Sequence, residues 1–341
     1  MQRIGIDRLK PGLELAKDLY SFDGQLLLAR GTVIESRHLS RLAQLGISHL
    51  YILESASVPG GQEAFGKVYE QSLNTVKIFM LEARLGQPLP RNEVLDTVDL
   101  LLNQVFDEVN IFKQLRLMKE KDEYLFTHSI NVALLGILMA RWLKLDEAVI
   151  KQVGLAGILH DIGKVLVSPE ILEKPGPLTP SEFEEIKKHT VLGYNLASQY
   201  DWIPSEVSNA VLMHHERLDG SGYPLGASGE SIGYLARMIA VADMYDAITS
   251  ARVYSPKETP YKAAEVLWRE SFGKLDPKAA KVFYDRAASF YVGQRVRLSN
   301  GEEGEVIYTN PTWPTRPTVK VDGKFYDLAQ DRNVTIKEII D

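Results

Sequence analysis

Five of the chain's seven histidines fall between residues 128 and 215, each within or at the end of an amphipathic, helix-like stretch. They are His128 in "LFTHSINVA", His160 in "GILHDIGK", His189 in "IKKHTVLG", and the adjacent His214 and His215 in "MHHE". Two aspartates share the setting: Asp161 directly follows His160, and Asp243 interrupts the mostly apolar "MIAVADMYDAI". Around His160 the apolar Val153, Ile158, Leu159 and Ile162 mark a helix turned toward a core. Burying an isolated polar group costs roughly 2–7 kcal/mol unless it is bonded, and a carboxylate in such a helix requires a cation. A fold that accepts these residues has to bring them together.

There is no cysteine, so disulfides and thiolate metal sites are excluded. A metal here must be held by His, Asp and Glu, a ligand set suited to Fe, Mn, Zn or Ni. Two divalent ions about 3.5–4 Å apart can share one hydroxide as nucleophile and clamp a phosphoryl group for in-line displacement. A carboxylate offers two oxygens and can bridge such ions, whereas an imidazole usually binds one. Asp161 is placed to bridge, and the adjacent His214 and His215 can serve one ion together. His38 and His49 lie outside the segment and read as ordinary hydrogen-bonded residues.

At 341 residues the chain is too long for one ordinary core, and two or three domains are expected. Residues 1–53 read as a small α/β module. Asp23–Gly24 is a hairpin signal ahead of the strand-like "QLLLA", and Ser36 can cap a helix that runs to about Leu45 and ends at Gly46. The strand-like "HLYIL" follows. Residues 54–118 read as a turn-rich linker and connector helices, broken in two by "QPLPRN". In the second of these, Leu95, Val98, Leu101, Val105, Val109 and Phe112 form an apolar stripe.

Helical periodicity continues through residues 119–290. From 291 to 341 the pattern alternates and is punctuated by Asn-Gly, Glu-Gly and Asp-Gly, which predicts a small antiparallel β-barrel. With 45% hydrophobic and 25% charged residues the chain reads as globular, and its net charge of −6 argues against binding a nucleic-acid polymer or a membrane surface. The N-terminus lacks the apolar run of a signal peptide, and no stretch approaches eighteen uninterrupted apolar residues. A cytoplasmic protein without membrane insertion is the expectation.

"HDIGK" (160–164), "HHERLDGSGYPLG" (214–226) and "RMIAVADMYDAITSARVY" (237–254) resemble the HD-GYP branch of the HD phosphohydrolases, over roughly residues 119–290. The resemblance implies an all-α HD-type core and a metal-dependent phosphodiesterase that hydrolyses cyclic di-GMP to pGpG or on to GMP. A catalytically weak cyclic di-GMP receptor, or an enzyme for another cyclic dinucleotide such as cyclic GMP-AMP, are the alternatives. It further implies one ion held by His128, His160, Asp161 and Asp243, and another held by Asp161, His189, His214 and His215. Lys164 is implied to contact the scissile phosphate and protonate the departing ribose oxygen. Glu216 and Asp219 are implied as partners that orient the imidazoles through their other ring nitrogen. Arg252 is expected to grip a guanine or phosphate, with Asp246, Gly222 and Tyr223 also on the substrate side.

Some relatives of this kind carry a glutamate four residues before the first histidine, where it supports a third metal. Tyr124 stands there in this chain, with Glu123 just off that face, and a phenol is a poor ligand at neutral pH. Two metals are therefore expected and not three. Iron is the expected metal, with Mn, Ni and Zn as alternatives. The family's ligand-binding lysine three residues after Arg252 is replaced by Ser255, with Lys257 nearby. A protein partner, through the GYP loop or the terminal domains, and a homodimer stay open.

Overall fold

A computed structural model describes the chain apart from residues 1, 7–8, 10–12, 22–24, 36–37, 40–41, 43–44, 46, 48, 53–60, 106–111, 113–114, 116–123, 173, 175, 251–257, 288–291 and 341. It divides into two compact units. One contains residues 61–258 and 263–283; the other contains residues 1–60, 259–262 and 284–341.

The first unit is helical. Its elements are α1 (Gly61–Arg84), α2 (Arg91–Gln104), α3 (Tyr124–Trp142), α4 (Glu147–Leu159), a 3₁₀ turn (Ile162–Leu166), α5 (Pro169–Leu172), α6 (Pro180–Lys187), α7 (His189–Ala197), α8 (Ser205–Met213) and α9 (Tyr234–Thr249). Parts of α10 (Pro260–Glu270) and α11 (Pro277–Ala287) complete it. The break between α1 and α2 falls in the "QPLP" region. There Gly86 adopts a left-handed φ of +74, while the Gln87 and Gly86 N–H groups donate back to the Glu82 and Ala83 carbonyls, each at 3.0 Å. That geometry caps the orphan carbonyls of α1. Helix α6 begins with a capping box, Thr179 and Glu182 bonding reciprocally, and carries Pro180 in its first turn.

Helix α3 is the centre of the unit: every residue from Ile130 to Ala140 is buried. Its length and apolar composition would suffice to cross a membrane, but most of its surface is covered by this unit's own packing. Two glycines decide what α3 meets. A Cβ at Gly157 would lie 2.5 Å from the Ala133 Cα, so only glycine lets α4 approach α3 this closely. The end of α4 is thereby set beside the first turns of α3. A Cβ at Gly163 would lie 2.0 Å from the His189 carbonyl oxygen. Glycine there lets the 3₁₀ turn lie against the start of α7.

In the second unit β1 (Gln2–Gly5) pairs antiparallel with β4 (His49–Ile52), and β2 (Leu19–Tyr20) with β3 (Leu26–Leu28). The Asp23–Gly24 turn and the Ser36 and Gly46 helix ends lie outside the described residues. Strands β5 (Arg295–Leu298), β6 (Glu303–Tyr308), β7 (Thr318–Val321), β8 (Lys324–Asp327) and β9 (Ile336–Ile340) form one antiparallel sheet in the order β8-β7-β6-β5-β9. Alternation buries Val296, Leu298, Val306, Val319 and Val321 on one side. Among the described residues the hydrogen bonding of this sheet runs from β8 to β9, and no pair joins those two strands.

Asn300–Gly301 and Asp322–Gly323 are turns, but Glu303–Gly304 is not: it opens β6. A Cβ at Gly304 would lie 2.5 Å from the Lys320 carbonyl, so glycine serves a close strand approach there. Tyr308 of β6 joins the core made by Leu15, Ile34, Leu50 and Ile52. The Lys17 ammonium donates to the Gly293 carbonyl at 2.9 Å and to Glu305 at 2.5 Å. The N-terminal strands and β6 thus share a core.

Candidate metal centre

Three of the histidines are held by one repeated device. His160 follows the last residue of α4, His189 opens α7, and His214 follows α8. In each, Nδ1 donates to the carbonyl three residues earlier: His160 to Gly157 at 2.8 Å, His189 to Ile186 at 2.7 Å, and His214 to Val211 at 2.8 Å. A carbonyl can only accept, so the proton is on Nδ1 and the Nε2 lone pair is left to face inward. His128, on the second turn of α3, is held differently, with its Nδ1 2.7 Å from Asp246 Oδ2.

All seven expected ligand residues converge. Asp161, at 1% exposure, stands between two groups of rings. Its Oδ2 lies 3.3 Å from His160 Nε2 and 3.6 Å from His128 Nε2, while its Oδ1 lies 3.3 Å from His189 Nε2 and 3.8 Å from His214 Nε2. Asp243, on α9, places Oδ1 3.1 Å from His128 Nε2 and Oδ2 3.7 Å from His215 Nδ1. Two clusters with ligand spacing result: His128, His160 and Asp243 in a first pocket, and Asp161, His189, His214 and His215 in a second.

The donor chemistry fits divalent cations. In the second pocket His189 Nε2 and His214 Nε2 are 3.4 Å apart, and both carry their proton on the far nitrogen. Burial depresses the His189 pKa to about 4 against the opposing pull of Asp161, depresses His215 to about 3, and holds His214 well below its ordinary value. The rings are therefore neutral, and their lone pairs converge on Asp161 Oδ1, which accepts no hydrogen bond among the described residues. Three electron-rich atoms, buried with no proton among them, have the chemistry and spacing that a cation's coordination sphere requires.

The first pocket is richer in anions. Burial opposes protonation of His128, but hydrogen bonds to Asp243 and Asp246 outweigh it and raise the pKa to about 9. Burial also works against the Asp161 and Asp243 carboxylates, yet neighbouring His160 and Lys164 for the one, and His128 and His215 for the other, hold both well below the usual range. The Lys164 ammonium sits 2.5 Å from Asp161 Oδ2. Without a metal, an imidazolium and an ammonium supply the positive charge this pocket demands.

The site opens where Lys164 (22% side-chain exposure) and His215 (18%) reach the surface. Tyr223 lies over this side, its ring 4.7 Å from that of His215 and its N–H donating to the His215 carbonyl at 3.3 Å. Tyr124 occupies the position one turn before His128 and stacks on it, 5.3 Å between ring centres and 17° between planes.

Four residues do something other than the sequence reading expects. Glu216 does not orient an imidazole; its carboxylate accepts the Leu225 N–H at 2.6 Å and the Ala227 N–H at 3.0 Å, fastening the GYP loop. Asp219 is also away from the rings, accepting the Ser221 N–H at 3.0 Å and hydroxyl at 2.6 Å within a turn. Asp246 is wholly buried and faces His128, not the open side; it also accepts from Asn131 Nδ2 at 3.0 Å. Gly222 packs inward, where a Cβ would lie 2.4 Å from the Glu216 Cα. Arg252, Ser255, Lys257 and Glu123 lie outside the described residues. Asn131 escaped the sequence reading, although an amide three residues after His128 in an otherwise apolar helix was a usable signal.

Residues 114–279 match the profile of the HD domain family. Over 242 residues the chain is 39% identical to the cyclic di-GMP phosphodiesterase PA4108 of Pseudomonas aeruginosa, an alignment that covers 70% of this chain and 58% of that protein. Over 173 residues it is 38% identical to 3'3'-cGAMP-specific phosphodiesterase 1 of Vibrio cholerae, covering 50% of this chain and 40% of that one. The chain thus spans less than two thirds of either relative. Among solved structures, Bd1817, an HDG"Y"P protein from Bdellovibrio bacteriovorus, superposes with a TM-score of 0.52 at 18% identity, covering 83% of this chain and 98% of that one, a likeness of fold. Residues 114–279 of the helical unit thus match the HD domain family, with the His-Asp pair at 160–161 and the GYP loop at 222–224 in place, and the unit is similar to HD-GYP proteins.

Proposed function

We propose that this chain is a metal-dependent phosphodiesterase that hydrolyses cyclic di-GMP to pGpG or GMP, using two divalent ions held by the two pockets. One observation carries this reading: the unprotonated trio of Asp161 Oδ1, His189 Nε2 and His214 Nε2, joined through Asp161 to a second ligand cluster. Bound ions would supply Lewis-acid charge to the phosphodiester and make the attacking water acidic enough to act near neutral pH.

The chain's own residues do the rest. Asp161 contributes one oxygen to each pocket and fixes their separation. Asp246 holds His128 in place from behind. Lys164, already at the open side on Asp161, carries the charge and the proton that a departing ribose oxygen needs. Tyr223 and His215 form one wall of the approach, and we assign Arg252 to the guanine or phosphate. The mixed nitrogen and oxygen donors suit iron, our choice, and also Mn, Ni or Zn. A cytoplasmic location goes with this reading.

The test is elemental analysis of protein purified without chelators or oxygen, followed by incubation with cyclic di-GMP. Two metals per chain and the appearance of pGpG support the proposal. Tight binding without turnover, in Fe and Mn alike, would make the protein a receptor instead. The likeness to a 3'3'-cGAMP-specific enzyme favours a second reading, in which the mixed dinucleotide is the substrate. Competitive turnover of the two dinucleotides decides between them.

A further inference from the structure

We propose that Tyr69, on α1, is a positioning residue for the first pocket, acting through Asn131 and Asp246 on His128. The inference rests on the metal reading above but adds an element that reading does not contain. Tyr69 is 1% exposed and its hydroxyl donates to Asn131 Oδ1 at 2.8 Å. Asn131 Nδ2 donates to Asp246 Oδ1 at 3.0 Å, and Asp246 Oδ2 lies 2.7 Å from His128 Nδ1. The direction of each bond is forced. A carboxylate only accepts, so Asn131 must turn its NH₂ toward Asp246 and its oxygen toward α1. The only partner that can satisfy that oxygen is a donor, and Tyr69 is one.

Each link is buried: Asn131 is 2% exposed and Asp246 and His128 no more than 1%. Water is excluded from repairing a broken link, so the arrangement acts as a unit. The Phe65 ring stacks on Tyr69, 6.1 Å between centres, and limits its tilt. Without the Tyr69 hydroxyl, the Asn131 oxygen loses its donor in a buried place, and the amide is held through its Asp246 end alone. Asp246, which also accepts from the Ser250 hydroxyl at 3.2 Å, is then held less firmly on the Asn131 side, and the aim of the His128 ring loosens with it.

The experiment compares Tyr69→Phe with wild type in full-length protein, titrating bound Mn or Co(II) against a competing chelator. Tyr69→Phe should weaken one ion of the two by about 10-fold, the low end for an outer partner of a ligand, and leave the other unchanged. Ser72→Ala, on the same helix with a buried hydroxyl that has no partner among the described residues, should change neither. The His128 Nδ1 proton resonance gives a second readout, expected to shift in Tyr69→Phe and not in Ser72→Ala. Equal weakening of both ions, or none, or an unmoved His128 proton, overturns the positioning role. A wild-type protein that binds no metal would instead overturn the phosphodiesterase reading, and the two failures are distinct.

Discussion

The two pockets are built from the same residue types, yet the His128 ring of the first is held by different chemistry from His160, His189 and His214. In the second pocket His189 and His214 lean on backbone carbonyls, which are neutral and set by helix geometry alone. In the first, His128 leans on the buried carboxylate of Asp246, itself held by a side chain from another turn of α3. The rings also titrate in opposite senses: hydrogen bonds to Asp243 and Asp246 raise His128 to about 9, while burial lowers His189 to about 4 and His215 to about 3. The second pocket, where burial keeps the rings neutral, keeps its lone pairs bare for a cation. A pocket backed by carboxylates takes up a proton and must release it when a metal binds.

The largest expected effect falls where the comparison ends, at the residue both pockets share. Asp161→Ala removes an oxygen from each cluster and the partner of Lys164, and it should empty both positions and abolish hydrolysis. Retention of two metals per chain by elemental analysis would sink the ligand assignment. His189→Ala should come next, since it touches only the second pocket. It should cost that ion, lower activity by more than the roughly 10–100-fold typical of outer-partner mutations, and leave one metal per chain. Loss of both ions would mean that the pockets fill as one.

Asp246→Asn tests the difference directly. It keeps the size of the side chain but removes one of the two carboxylate charges, Asp243 being the other, that raise His128, so the first-pocket ion should weaken by about 10–100-fold. The second-pocket ion should not respond. Calorimetry in buffers of different ionisation enthalpy should also show fewer protons released on loading, because His128 begins with less of the imidazolium form once only Asp243 supports it.

The seven side chains that converge were legible because each imidazole or carboxylate interrupts an apolar helical pattern, as Asp243 does in "MIAVADMYDAI". Their spatial partners were not. Gly157, Ile186 and Val211 hold rings through carbonyls, which leave no side-chain signature. Glu216 and Asp219 follow the paired histidines closely, and that adjacency misled: a carboxylate one residue from a ring at a helix end points elsewhere and binds loop N–H groups. Asp246 meets His128 across 118 positions, a pairing that no local periodicity encodes. The same limit hid the shared core of the second unit, where Tyr308 packs among Leu15, Ile34 and Leu50. By contrast, the break at "QPLPRN" and the hairpin at Asp322–Gly323 are purely local chemistry, and both were readable.

The smallest effect is also the one that separates the pockets most cleanly, in metal-free protein. Between pH 6.5 and about 9 the folded chain holds a proton on His128 that the unfolded chain has lost. The stability from His128 is therefore fully present below 6.5 and is lost as pH rises to about 9. His189 and His215 behave in the opposite sense: below 6.5 the unfolded chain takes up protons that the buried rings refuse, so their contribution is present above 6.5 and lost as pH falls toward about 4 and about 3. Thermal unfolding of chelator-treated protein should therefore peak near neutral pH and decline on both sides, by a few degrees per kcal/mol. Asp246→Asn should flatten only the alkaline decline and His215→Ala only part of the acid one. Metal loading should remove the alkaline decline, because a coordinated His128 has no second proton to lose. If one substitution flattened both sides, the two pockets would be a single titrating unit, and the contrast between carbonyl and carboxylate backing would carry no weight.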